Sequence, residues 1–231
     1  MSRGIVTIAG KPEYFFLAYV NCKLIRSYGC NLPIEWFYLG PEMSPLMLDM
    51  AEEMENVLCV DLIPITQDLY TWQTRTFAIA ETSFDEFLLL EADSFPTRSP
   101  EELFQCPEYL NTGALFWPST EKWSPEDLEH FEKMFETGTP EIRVDLGQAL
   151  MKRGHESFHI IESPPAVIDC GLKQFGPDGK LSFIHMKGET KSIPATKGLE
   201  IMMEKLDLTE EDLENVSCRI CNQWEELLYE N

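Results

Sequence analysis

The chain has 231 residues, with 18 Lys and Arg against 40 Asp and Glu and a formal charge of −22. A field of that sign repels the phosphates of a nucleic-acid duplex, which excludes DNA and RNA as general partners and leaves anion binding to local pockets. Hydrophobic residues make up 44% of the chain, enough for one compact domain with a real core. The first residues run from Met1-Ser2-Arg3-Gly4 straight into Ile5-Val6-Thr7-Ile8-Ala9. That opening lacks the apolar stretch and cleavage site of a signal peptide, so no targeting segment is expected. The longest apolar run near the start, residues 14–20, is far short of the ~20 residues that cross a bilayer. Seven cysteines, an odd number lying mostly in apolar segments, read as small buried hydrophobes in a reducing compartment. A soluble cytosolic protein is the expectation.

Short runs rich in Val, Ile, Phe and Tyr alternate with longer segments of helical period, the pattern of an α/β layer fold. Residues 4–9 read as a strand, 12–28 as a helix stopped by Gly29, and 33–39 as a strand stopped by Gly40-Pro41. Ser44-Pro45 opens a helix to about residue 55, 57–65 is a third strand and 71–82 a helix. Residues 87–91 form a nearly all-apolar strand suited to the middle of a sheet covered on both faces. Ser99-Pro100 starts a short helix. Beyond it, 111–118 reads as strand, 124–135 and 145–153 as helices, and 158–161 and 181–185 as late strands. Residues 206–229 read as acidic amphipathic helix with a solvated face.

The strongest local signal is Leu88-Leu89-Leu90-Glu91-Ala92-Asp93, two acids one residue apart at the carboxyl end of a buried strand. Ligands in open α/β sheets sit outside those ends. Carboxylate oxygens plus substrate phosphates suit a hard ion such as Mg²⁺ or Mn²⁺, which describes a nucleotide-diphosphate site. Alone, the pair reads more readily as a polar strand exit. A second signal is His185-Met186-Lys187-Gly188-Glu189-Thr190-Lys191. Imidazole ligates Mn²⁺-like ions, a glycine lets backbone approach a pyrophosphate, and lysine neutralises a departing phosphate.

These residues resemble the GT-A glycosyltransferases, and most closely the fungal α-1,3-mannosyltransferases. The resemblance rests on Gly4-Ile5-Val6-Thr7-Ile8-Ala9-Gly10, Leu32-Pro33-Ile34-Glu35, Phe77-Ala78 with Ser83-Phe84, Leu89-Leu90-Glu91-Ala92-Asp93-Ser94 and Asn111-Thr112-Gly113-Ala114-Leu115-Phe116-Trp117-Pro118. Gly147-Gln148 stands where that family places a Gly-Gln, and His185-x-x-Gly188-x-x-Lys191 is similar to the C-terminal motif of glycogenin-like retaining enzymes. The family usually has Asp where this chain has Glu91, and Lys-Pro where it has Arg75-Thr76. Fungal members are also membrane-anchored in the Golgi, a property that this sequence does not carry over.

The resemblance implies a GT-A fold, a mixed central sheet flanked by helices. Residues 1–118 would be the nucleotide-sugar half, 119–205 the acceptor and metal-completing half, and 206–231 a helical tail. It implies a metal-dependent, retaining hexosyltransferase using Mn²⁺ or Mg²⁺, with GDP-mannose or a UDP-sugar as donor and a glycan hydroxyl as acceptor. Thr7, Ala9 and Gly10 would hold base and ribose, and Arg75 the diphosphate or sugar. Asp93 would bind the cation, Glu91 the ribose or the metal through water, and His185 would complete the metal shell. Lys191 and the Gly188 backbone would stabilise the leaving group. Asp145 and Gln148, three residues apart on one helical face, could flank the anomeric carbon, with a helix-cap acid and a surface amide as the alternative. Trp72, Phe116 and Trp117 are candidates to stack on the acceptor, with core packing the alternative for the last two. Cys218-x-x-Cys221 and the Asn215-Val216-Ser217 sequon carry no role in this reading. A sugar nucleotidyltransferase and a non-catalytic relative are the competing readings.

Overall fold

A computed structural model describes residues 2–63, 74–118, 144–168 and 171–186. Its centre is a seven-stranded mixed sheet in the order β3-β2-β1-β4-β7-β6-β8. The strands are β1 (Arg3–Ile8), β2 (Ile34–Tyr38), β3 (Val57–Asp61), β4 (Glu86–Glu91), β6 (Ala114–Pro118), β7 (Val144–Lys152) and β8 (His159–Ile160). A second sheet, β5-β11-β10-β9, is built from β5 (Ser94–Pro96), β9 (Ala166–Ile168), β10 (Gly171–Phe175) and β11 (Leu181–Met186). The helices are α1 (Pro12–Ser27), α2 (Pro45–Glu52), α3 (Thr74–Glu81) and α4 (Pro107–Thr112).

The parallel half follows from the sequence. β1, β2, β3 and β4 run parallel, and the interiors of β1 and β4 are mostly apolar, Ile5, Val6 and Phe87 to Leu90, as suits strands covered on both faces. One face packs on α1 through Ile5, Leu88, Leu90, Leu24 and Phe15. The other buries Val6, Phe37, Leu89 and Phe87 with Ala78 of α3. Pro12 sits in the first turn of α1, and the Ser44 hydroxyl caps α2 by accepting from the Met47 N–H at 3.2 Å. Cys22 and Cys30 are buried and unbridged. Burial pushes the Cys22 thiol up to about 12. Among the described residues no helix is long and apolar enough to cross a membrane.

Two expectations change. Residues 144–152 form β7, a strand hydrogen-bonded antiparallel between β4 and β6, where helix is expected from 145 to 153. β4 pairs with residues 148–152 and β6 with 149–151 and 144–145, and that pairing overrides the preference of Leu, Gln, Ala, Met and Lys for helix. The segment 111–118 divides: Asn111 and Thr112 end α4, Gly113 caps it at φ 78°, and only Ala114–Pro118 is strand. The expected helices at 124–135 and 206–229 lie outside the described residues.

Candidate functional site

β4 carries a buried apolar run up to its last residue, Glu91, and the chain then turns through Ala92 and Asp93 into β5. β5 pairs antiparallel with β11, and the register sets His185 opposite Ser94. The Met186 N–H donates to the Asp93 carbonyl at 2.9 Å, closing that pairing over the turn. Two acids from one strand end and an imidazole from the second sheet are thereby brought together. His185 Nε2 stands 3.4 Å from Glu91 Oε2 and 3.5 Å from Asp93 Oδ1, and one donor atom from each of the three lies within 4.8 Å of the others. Around a Mg²⁺-sized ion, with bonds of about 2.1 Å, adjacent oxygen or nitrogen donors stand roughly 3 Å apart, so this donor set fits such a cation. The other Glu91 oxygen, Oε1, is ion-paired with the Arg75 guanidinium of α3.

The triad borders a cleft of about 290 Å³ that crosses the carboxyl ends of β2, β1 and β4. Tyr38 and Glu42 stand at the β2 side, Ile8, Ala9 and Gly10 in the middle, and Thr74, Arg75, Glu91 and Asp93 at the β4 side. Lys11 and Tyr14 add the start of α1, whose amino end carries the positive pole of the helix dipole. The Ala9 carbonyl accepts from the buried Trp36 indole N–H at 2.7 Å, and Trp36 is stacked on Phe15 at 5.0 Å. At Gly10 a Cβ would fall 2.6 Å from the Cβ of Glu42, so only glycine lets the loop after β2 close on the loop after β1. Gly171 plays the same part in the second sheet: a Cβ there would lie 2.9 Å from the Met186 Cα, next to His185.

Ala9, Gly10, Arg75, Glu91 and Asp93 therefore line one cleft, and His185 joins the two acids. Thr7 does not line it. Its side chain is on the α1 face of β1, 4% exposed, with a hydroxyl that has no partner. Gln148 is on a strand and not on a helix, so it and Asp145 share no helical face, and the β6–β7 register shifts between them. It lies opposite Leu90, fully buried, with neither amide atom hydrogen-bonded. The Asp145 side chain, Gly188, Lys191 and Trp72 lie outside what is described. Phe116 and Trp117 are core residues. Both are fully buried, Trp117 packs edge-on to Phe183 at 5.2 Å, and its N–H donates to the Phe175 carbonyl. Sequence reasoning misses Asn21, Trp36, Glu42, Tyr14 and Tyr38. The signal for Asn21 is an amide inside an otherwise apolar helix face; Glu42 has none beyond its place after a strand.

A mixed α/β sheet with acids and an imidazole gathered outside the ends of its parallel strands places a candidate ligand site where open α/β sheets bind ligands. Residues 2–172 match the family described as "Mannosyltransferase putative", and the chain belongs to that family. The alpha-1,2-mannosyltransferase MNN21 of Candida albicans is 29% identical over 140 residues, covering 50% of this chain and 20% of that protein. The alpha-1,2-mannosyltransferase MNN2 of Saccharomyces cerevisiae is 28% identical over 123 residues, with the same two coverages. The chain thus spans about a fifth of the length of these relatives. Among solved structures, the galactosyltransferase LgtC in complex with donor and acceptor sugar analogs overlaps 66% of this chain and 58% of its own, at 15% identity and a TM-score of 0.42. The kinship with fungal mannosyltransferases read from the sequence holds at the level of the family.

Proposed function

We propose that this chain carries the donor-binding and catalytic core of a retaining glycosyltransferase that moves mannose from GDP-mannose to a hydroxyl of a glycan. The observation that carries the reading is the convergence of Glu91, Asp93 and His185 at the end of a cleft across three parallel strands, in a chain of a mannosyltransferase family. Those three residues would hold a Mn²⁺ or Mg²⁺, which supplies positive charge against the donor diphosphate. Ala9 and Gly10 offer backbone to the ribose. Arg75 at 45% exposure and the amino end of α1 provide further positive potential for the diphosphate, whose negative charge grows as the sugar departs. Residues 1–118 serve the nucleotide sugar in this scheme, and 119–205 complete the metal and acceptor side. Lys191 and the Gly188 backbone assist the leaving group. Gln148, one residue inward of Glu91 across the β4–β7 ladder, keeps a buried amide at a cost of about 1–3 kcal/mol per unpaired group, which supports a role at the sugar. Asp145 is the second residue proposed for that position.

The far end of the cleft supports guanine over uracil. The Watson–Crick edge of guanine presents two adjacent N–H donors that a carboxylate accepts in a bidentate pair, and Glu42 stands there with Tyr38 and Tyr14 as aromatic walls. Uracil presents one N–H between two carbonyl oxygens, which a carboxylate repels.

A thermal-shift panel of GDP, UDP, CMP and dTDP, each with and without Mn²⁺, tests the reading, because a ligand of the native state raises its melting temperature. A Mn²⁺-dependent rise with GDP is expected, and its loss in both Asp93→Ala and His185→Ala. A rise with UDP instead would move the donor to a UDP-sugar. No rise with any nucleotide would favour the non-catalytic relative.

A further inference from the structure

The two carboxylates of the triad repel one another; Glu91 ends β4, whereas Asp93 stands in the turn Ala92-Asp93, which belongs to neither flanking strand. Something must hold them side by side. Asn21, in the middle of α1 and 3% exposed, is placed to do so. Its amide nitrogen faces three carbonyls of the turn: Ala92 at 3.0 Å, Ser94 at 2.9 Å and, at longer range, Glu91 at 3.4 Å. The fourth carbonyl of the stretch, that of Asp93, accepts from the Met186 N–H. Four successive carbonyls are therefore engaged from two sides, by the helix and by β11. With those carbonyls fixed, the backbone dihedrals of 91–94 are fixed, and with them the directions in which the Glu91 and Asp93 side chains leave the chain. The amide is committed in this orientation, because rotating it by half a turn would aim Oδ1 at three carbonyl oxygens. Oδ1 itself is buried without a hydrogen bond, so Asn21 is retained at a cost that packing alone would relieve by substituting an aliphatic residue.

We infer that Asn21 is a positioning residue for the cation site, a support that presets the acid pair against its own repulsion. This rests on the metal reading proposed above. Mn²⁺ alone is the probe: the free ion is counted by its electron paramagnetic resonance signal during titration, at a temperature where every variant is folded. Asn21→Leu is expected to weaken Mn²⁺ binding at least tenfold while leaving metal-free GDP affinity unchanged. Val20→Ala, a buried neighbour on the same helix that bonds no part of the turn, is expected to lower the melting temperature and keep Mn²⁺ affinity within twofold. Mn²⁺ affinity within twofold of the unaltered chain in Asn21→Leu would overturn the inference. So would an equal loss in Val20→Ala, which would make the effect one of general stability. Should Asn21→Leu not fold, Asn21→Asp keeps the shape and replaces the donors; full Mn²⁺ affinity there overturns the inference equally. An unaltered chain that fails to bind Mn²⁺ overturns the metal reading itself, and this inference with it.

Discussion

Gly10→Ala is the sharpest probe of how the cleft is built. The new methyl carbon would fall 2.6 Å from the Cβ of Glu42 and 3.1 Å from its carboxyl carbon, against an ordinary carbon–carbon contact of about 3.5–4.0 Å. A carboxylate can swing aside, but a Cβ moves only with its backbone, so the loop after β2 must retreat by the better part of an ångström. Overpacking of that kind costs about 1–3 kcal/mol, offset by roughly 0.4–1 kcal/mol from the stiffer unfolded chain. A net loss near 1–2 kcal/mol lowers the melting temperature of a domain this size by about 2–8 °C. The partner substitution separates backbone from side chain: Glu42→Gly removes the colliding Cβ, whereas Glu42→Ala removes only the carboxylate and the Cγ. In a double-mutant cycle on urea midpoints at constant m, Gly10→Ala is expected to be rescued by Glu42→Gly and not by Glu42→Ala. Rescue by both, or a Gly10→Ala chain as stable as its parent, would refute the close approach. GDP affinity is expected to fall with Gly10→Ala, since the displaced loop is a wall of the same cleft.

Two further outcomes concern the leaving group and the buried thiols. Lys191→Ala should lower kcat about tenfold or more with a smaller change in KM, because its charge matters most as the diphosphate departs; equal effects on both would reduce it to donor binding. Cys22 makes the protein sensitive to alkali. Its thiol stays protonated in the fold up to about 12, from an ordinary 9.0, because burial disfavours the thiolate. The unfolded chain therefore gives up that proton first, and the stability present below pH 9 is lost as pH rises towards 12, by about 1.4 kcal/mol per pH unit. Urea midpoints between pH 8 and 10.5 should fall less steeply for Cys22→Ala than for its parent, and parallel slopes would contradict the assignment.

Much of the site is legible without a structure, because it hangs on features that local sequence controls. The run Phe87-Leu88-Leu89-Leu90 has to be an interior strand, and the acids that follow have to leave from its carboxyl end. His185 at the end of another apolar run has the same logic, although only the pairing of β11 with the three-residue β5 brings it to Asp93, and a strand that short has no periodicity to detect. β7 is illegible for the opposite reason: Gln148, Ala149, Leu150 and Met151 favour helix, and their extended state exists only because β4 and β6 flank them. Asn21 and Trp36 act through hydrogen bonds to distant carbonyls, and nothing in residue spacing announces such a partner.

The pairing of β5 with β11 also sets the order in which the molecule becomes competent. Residues 2–172 are the part that matches the family, and they contain the main sheet, α1 and both acids, whereas His185 follows them on the last described strand. Closing that long stretch of chain carries a loop entropy that local contacts do not repay in advance. During synthesis the main sheet can therefore assemble with Glu91 and Asp93 in place, and His185 arrives only when the hairpin of β10 and β11 docks. On the metal reading proposed above, a nascent chain would hold an acidic turn before it holds a cation site, so Mn²⁺ uptake would report docking of the second described sheet and not collapse of the main one.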